Sequence, residues 1–540
     1  MLNVRLFLIG LIAAPALGCG ELGEFNNDPA EYVYQCETSQ EAAFDYSGGT
    51  VRCGEGDELL AGVEPTYPTE ICETLVSDKS FPDEDNLDTQ RVQDALVACK
   101  GSVVKLVADG DNNAFITSHI EVDGVTLWVD EGVWLYSSRN PDLFQETGNC
   151  GKPGVTDSTA CLDFIQVRGD NPGIIGKGHI DGQGGEPLVG KDYSWWQLSE
   201  ALRDINGSIG NPQLINLERL VKGFVLHDVH LHDAAKFHVK ITATPVDGVC
   251  DNPGEGYKIW GVTILTPRKL YNSQGILMTP HFARNTDGID PGTTNVATCG
   301  VIACNTVSTS DDQIAIKGGH LVKDLIIAHN HFGTGHGLSI GSETYGEIIN
   351  EDGEVERGTQ NIRAYDIYID ADSRSVGYDA TDADFNGIRI KSDISRGGLV
   401  DNISYEDICL RDQNNPLLIS TAYNPLFAGE LYPEFQRVSF RNVRHVTCMN
   451  IKPLVVNIEG HSRVRRTGPV NLDNVVIDNI GPNNVYAEYA DITLGPAGAN
   501  FRPAGVDVNL TEEPSDPRPP KECIFPKLPA PELPEGWLSR

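Results

Sequence analysis

Short runs of β-branched and aromatic residues, each closed by Asn, Asp or Gly, recur from about residue 102 to residue 490. "GFVLHDVHL", "VKDLIIAHNHF", "NIRAYDIYI" and "VDNISYEDICL" are four of them. The runs return roughly every 20–30 residues, with longer insertions, and a period of that size marks a solenoid. Strands this short, with no helical pattern between them, predict an all-β parallel β-helix whose coils stack so that one side chain per coil lines up along a face. The segment before this texture is different. "DTQRVQDALVAC" (Asp88–Cys99) has apolar positions at helical spacing, with Asp88 as candidate N-cap and Gly101 as candidate stop. It predicts a short N-terminal capping helix.

The ends of the chain have their own patterns. "MLNVRLFLIGLIAAPALGCG" places Arg5 before an apolar run too short to span a membrane and then small residues, which is the pattern of an export signal over 1–18. "ALGC" also fits a bacterial lipoprotein box with Cys19 as the lipidated residue; plain cleavage before Cys19 is the other reading. Residues 19–65 form an acidic, Cys-containing lead or spacer segment, 66–490 the β-helix, and 491–540 a Pro-rich tail clipped by Cys523. The expected location is secreted or extracellular, with a lipid anchor at the bacterial cell surface or in the periplasm as the variant.

Composition narrows the function. The 540 residues carry a formal net charge of −36, which argues against nucleic acid as a partner. It also means that an acidic ligand would need a local cationic site. With Cys19 set apart, twelve of the 13 cysteines remain, enough for six disulfides in an exported protein. Cys72 with Cys99 and Cys150 with Cys161 are candidate local pairs. No CxxC or Cys/His cluster suggests a metal. A monomer without cofactor is expected.

The candidate chemistry lies in four pieces between Asn285 and Asp393: "NTDGIDPG", "STSDDQIAIKGG", "GTGHGLSIGS" and "GIRIKSD". Taken alone, each has an ordinary reading as a turn, a strand start or a solvated strand face. Together they are more specific. Asp287 to Asp311 is 24 residues and Asp312 to His336 is 24, so one coil per step would put these residues in register on one face. Crowding of three aspartates should raise the pKa of at least one carboxyl. A site would then hold a protonated acid beside ionised bases, which is what glycosidic cleavage requires. His336 sits between glycines, which lets backbone approach closely and keeps the ring out of the core. Arg389 and Lys391 are two apart, so on a strand they point the same way while Ile388 and Ile390 point inward.

In this order and spacing the motifs resemble the polygalacturonases, the pectin-degrading glycoside hydrolases of family 28. The family pattern Asn-Thr-Asp-Gly, Gly-Asp-Asp, Gly-His-Gly, Arg-Ile-Lys reads here as Asn285–Gly288, Asp311 with Asp312, Gly335–Gly337 and Arg389–Lys391. "HIDGQGGEPL", "SWWQL", "AAKFHV" and "NPLLISTAY" extend the likeness over roughly residues 60–480. Two positions depart from the pattern. Ser310 stands where glycine is usual, and Gln313 where Asn or Cys is usual.

The resemblance implies a right-handed, pectin lyase-like, single-stranded β-helix with an open groove. It also implies hydrolysis of α-1,4 galacturonosyl bonds with inversion, endo-acting by analogy with bacterial members. Carried over, Asp311 is the general acid, Asp287 and Asp312 activate water, and His336 helps keep the acid protonated. Arg389, Lys391, Tyr423 and Asn285 form the substrate-binding group, the two cations taking the galacturonate carboxylate and Tyr423 packing on a sugar ring. The expected partner is polygalacturonate or pectin, with no metal. Insertions at 343–361 and 371–386 would make an exo-enzyme if they wall off the groove. Rhamnogalacturonan or xylogalacturonan hydrolysis is the alternative within the family. Outside it stand a calcium-dependent pectate lyase, which the paired Asp311 and Asp312 do not suggest, and a non-catalytic polysaccharide-binding β-helix, in which the site acids should be eroded.

Overall fold

A computed structural model describes residues 53–529 except 204–209, 219–220, 243–249, 251, 281, 293–298, 319–320, 345–346, 350–354, 372–384, 425–427, 449–453 and 527. The export signal, Cys19 and most of the lead segment lie outside the described residues, as do much of the two insertions and the end of the tail.

The chain winds into a right-handed parallel β-helix. One sheet of 12 strands takes its strands strictly in chain order, from Ile120–Asp123 to Gly505–Val506. Each coil adds one strand to it and passes its remaining strands to a 22-stranded sheet. The register stacks Ile120, Ile165, Ile215, Val239, Ile289, Ile314, Leu338, Ile388, Leu417, Val456 and Val485 in one inward ladder. These residues are buried in the core. Side chains two apart face the same way on a strand, so the core takes every second residue and the intervening ones point outward. The helix runs to the strand Asn509–Glu512, past the boundary near 490 that the sequence suggested.

The Asn, Asp and Gly that close each run have a structural cause. Strand pairing aligns Asp228, Cys304, His329, Asp366, Asp407, Asn442 and Asn474 in one column, and all seven have a left-handed φ between 49° and 63°. Asp324, Asn361, Asn402 and Arg437 form a second such column. Each is a corner where the coil turns onto its next face. Asp and Asn tolerate this conformation better than most residues with a Cβ. Their side chains then bond from coil to coil: Asn442 Nδ2 donates to Asp407 Oδ1 at 2.9 Å and Asn402 Nδ2 to Asn361 Oδ1 at 2.7 Å.

The helix Thr89–Ala98 covers the open edge of the first strand of the 12-stranded sheet. The Gln93 amide pairs with the Glu121 backbone in both directions, Oε1 accepting from N at 2.7 Å and Nε2 donating to O at 3.2 Å. An edge whose backbone groups are satisfied in this way offers no template for another chain. Asp88 stands at the N-cap position but makes no capping bond. Its carboxylate is taken instead by Lys79, by Arg91 and by the backbone N of Ile116. Cys72–Cys99 and Cys150–Cys161 are bonded as their spacing suggested. Cys53–Cys304, Cys250–Cys299 and Cys409–Cys523 join more distant segments, the last holding the tail against the flank.

Candidate functional site

Four successive strands of the 12-stranded sheet carry the site on their outward side: Ile289–Pro291, Ile314–Ile316, Leu338–Gly341 and Asn386–Lys391. Ile289, Ile314, Ile316, Leu338, Ile340, Ile388 and Ile390 fill the core beneath them. Asp287, Asp311, Asp312 and His336 lie on the turns leading into these strands, and Arg389 and Lys391 on the last strand itself. The register differs by one residue from the spacing argument. Ile289 pairs with Ile314, a step of 25, so two residues upstream Asp287 shares its row with Asp312, not Asp311. The step from Ile314 to Leu338 is 24, which keeps His336 in that same row.

The ionisable groups form two clusters that meet at Asp311. In the first, Asp312 is the hub. Its Oδ2 accepts from Lys391 Nζ at 2.9 Å, and its Oδ1 accepts from Arg389 Nη2 and, at 2.8 Å, from Ser339 Oγ. Ser339 Oγ in turn accepts from Arg389 Nε at 3.0 Å. Arg389, Lys391 and Asp312 are each buried. The sequence placed both cations facing substrate; the structure shows them first neutralising Asp312, because the coil spacing brings the Asp312 turn over the Arg389 strand. Two cations share one carboxylate, so the group keeps one net positive charge.

The second cluster was missed by the sequence reading. Lys317 Nζ lies 2.9 Å from Asp287 Oδ2 and 2.6 Å from Asp290 Oδ2, and 4.0 Å from the centre of the Phe237 ring. Oδ1 of each aspartate is buried without a protein hydrogen-bond partner among the described residues. Burial, then the mutual repulsion of the two aspartates, pushes the Asp287 carboxyl well above its ordinary range despite Lys317. Burial likewise pushes Asp290 up to about 6 against the pull of Lys317. One cation matches one of the two negative charges, so the pair tends to retain a proton.

Asp311 is the opposite case. Burial works to raise its pKa, but the His336 ring, Lys391 and Lys317 overcome it and hold the carboxyl far below the carboxylate range. Burial works on Asp312 in the same way and is overcome by Arg389 and Lys391, which lower it. The expectation that crowding raises a carboxyl therefore holds at Asp287 and Asp290. The expectation that His336 keeps Asp311 protonated does not hold, because Nδ1 of the ring lies 3.1 Å from Asp311 Oδ1 and favours the anion.

His336 is held by its neighbours. A side chain on Gly337 would meet the Gly387 carbonyl at 2.0 Å, and one on Gly335 the Gln313 amide at 2.0 Å. Gln313 Nε2 donates to the carbonyls of Gly333 at 3.0 Å and Thr334 at 2.6 Å, while its Oε1 accepts from Gly337 N. The longer residue at this position thus braces the turn that carries His336. Ser310 has an ordinary φ, so the glycine it replaces is not needed for backbone freedom; its hydroxyl is buried without a partner among the described residues. Tyr423 is 43% exposed, with Lys391 Nζ 5.1 Å from its ring centre. Asn285 is a half-buried, left-handed residue (φ 57°) on the turn that carries Asp287.

Donor atoms of Asp311, Asp312 and His336 lie within 4.8 Å of one another. Both oxygens of Asp312 are already paired with cations, so this donor set does not fit a resident metal.

The model of the family described as glycosyl hydrolases family 28 matches residues 157–493. A polygalacturonase of Ralstonia nicotianae is 33% identical over 81% of this chain and 83% of its own. An endo-polygalacturonase of Pectobacterium carotovorum subsp. carotovorum is 32% identical over 71% and 82%. The solved structure of a polygalacturonase from Erwinia carotovora ssp. carotovora superposes with a TM-score of 0.60 at 26% identity, covering 84% of this chain and 98% of that one.

Proposed function

The chain belongs to the glycosyl hydrolases of family 28, and from that premise we propose that it hydrolyses α-1,4 bonds between galacturonate residues of unbranched pectin, within the polymer and with inversion. The observation that carries this reading is the net positive group made by Arg389, Lys391 and Asp312 beside the Asp311–His336 pair. A protein of net charge −36 repels a polyanion at long range, and this group gives one substrate carboxylate a local counter-charge. Tyr423 offers an exposed ring next to it.

In the proposed reaction, the Asp311–His336 pair gives a proton to the leaving glycosidic oxygen. Water attacks the anomeric carbon from the opposite side of the ring and loses its proton to an aspartate as the C–O bond breaks. Asp287 is the stronger base, because its proton affinity is raised while Arg389 and Lys391 lower that of Asp312. Proton exchange with solvent resets both groups. Five disulfides among the described residues support export to an oxidising compartment. No described helix is long and apolar enough to cross a membrane.

Digestion of unesterified polygalacturonate, with products sized by chromatography and the new reducing ends followed by proton NMR, tests the reading. Saturated oligomers of mixed length, released first as the β-anomer, are expected. Monomer alone would mean exo action, and unsaturated ends would overturn hydrolysis.

The Asp287 assignment has its own test in the pH profile. A base works only when ionised, so kcat/KM falls as pH drops through its raised pKa. Lys317 is the cation that holds Asp287 and Asp290 down. Lys317→Met should therefore move the acid limb upward by about 1–2 pH units. A limb that stays in place would remove Asp287 from the base role.

A further inference from the structure

The outward rows of the 12-stranded sheet continue past the site, and their charge changes sign. One row runs from Lys391 to Ser420, Glu459 and Glu488, and the next from Arg389 to Leu418, Asn457 and Tyr486. Coils are about 4.8 Å apart, so Glu459 lies only about 10 Å downstream of Lys391, within reach of the sugars that follow the bound residue. Upstream, Lys240 stands opposite Asp290 in the strand register, and Lys236 Nζ lies 5.2 Å from the Phe237 ring, which Lys317 also approaches.

Glu459 has Ser420, Asn457, Glu488 and His461 about it. Its Oε2 accepts from Ser420 Oγ at 2.8 Å. Burial raises its pKa, Ser420 and Asn457 offset this by hydrogen bonds, and Glu488 on the next coil raises it again; His461 gives the remaining opposing pull. Beside it, Tyr486 is 54% exposed and Leu418 half-buried. A free galacturonate carboxylate brought here would meet a like charge. A methyl-esterified residue brings no charge, and its methyl and ring faces suit the tyrosine and the leucine.

We propose that Glu459 determines substrate preference on the downstream side of the cleavage site, admitting neutral, methyl-esterified galacturonate residues there and disfavouring free carboxylates. The inference rests on the galacturonan reading above. It makes the outward face two-sided: cations at and upstream of the reacting bond select the acid form, and Glu459 downstream selects the ester.

The test compares kcat/KM on oligogalacturonates with free carboxyls and on the same oligomers methyl-esterified, for wild type, Glu459→Gln and Glu488→Gln. The glutamine oxygen at 459 still accepts the Ser420 hydroxyl, so the local bond is kept and the charge removed. The ratio of free-acid to ester kcat/KM should rise about fivefold in Glu459→Gln, the size expected for losing one like-charge contact near the surface, and less in Glu488→Gln. Cleavage of both substrates with an unchanged ratio in both variants would overturn the role of Glu459 and leave the galacturonan reading standing. Failure of wild type to cleave either substrate would overturn that reading and this inference together.

Discussion

Asp311→Asn should lower kcat on polygalacturonate by about 10²–10⁴-fold with little change in KM or in thermal midpoint, the range for removing a positioned acid. The substitution keeps the shape of the side chain, and an amide oxygen still accepts the bond that Asp312 N gives to Asp311 Oδ1 at 2.9 Å. What it removes is the carboxylate that meets His336 Nδ1 at 3.1 Å, and with it the pair proposed to deliver the proton. The leaving sugar oxygen is a poor anion and needs that proton as the bond breaks. A galacturonide with an acidic phenol as leaving group needs it much less. The variant should therefore lose far less activity on the aryl substrate than on the polymer. Equal losses on both would mean that Asp311 holds the site together and takes no part in delivering the proton.

The largest stability effect is expected one residue later. Asp312→Leu takes from Arg389 and Lys391, each 5% exposed, the one carboxylate that both of them bond. Breaking one partner out of a buried ion group costs about 3–5 kcal/mol, mostly from the charge left unpaired. Urea unfolding should register a loss of that size. Removing the cations as well, by Arg389→Met and Lys391→Met in the same chain, should recover most of it, although activity stays lost. A cost under about 1 kcal/mol for Asp312→Leu alone, the range of a solvated pair, would show that both cations reach water without it.

The two substitutions touch adjacent residues but are expected to separate function from stability, and the separation would follow from the winding. On the turn, Asp311 points to His336 and Asp312 to the Arg389 strand. How much of this could be read from the sequence depends on the length scale. The alternation in "GIRIKSD" put Ile388 and Ile390 inward, and the structure agrees. The same alternation in "GLSIG" and "IAIK" marks Ser339 and Lys317 as outward, so the signal for those two partners was present. Asp290, three residues after Asp287, carried no such mark, since its role depends on Lys317 reaching across a coil. The near-identical spacings of 24 hid a coil of 25, and only hydrogen-bonded pairing reveals which aspartate shares the row of Asp287. The local disulfides were visible for a similar reason. Cys72–Cys99 closes a single helix, whereas Cys53–Cys304 spans 251 residues of winding that no spacing rule encodes.

The corner columns have a further consequence. Each coil needs a left-handed residue at its corners, and these stand at the same place coil after coil, from Asp228 to Asn474. The winding is therefore graduated like a ruler. Its length changes only by whole divisions of about 4.8 Å, each made by inserting or deleting the chain between two successive corners. Such a change leaves the spacing among Asp287, Asp311 and Arg389 untouched when it falls outside their coils. Reach along a polymer and the chemistry at one bond are thus independently adjustable properties of the same winding.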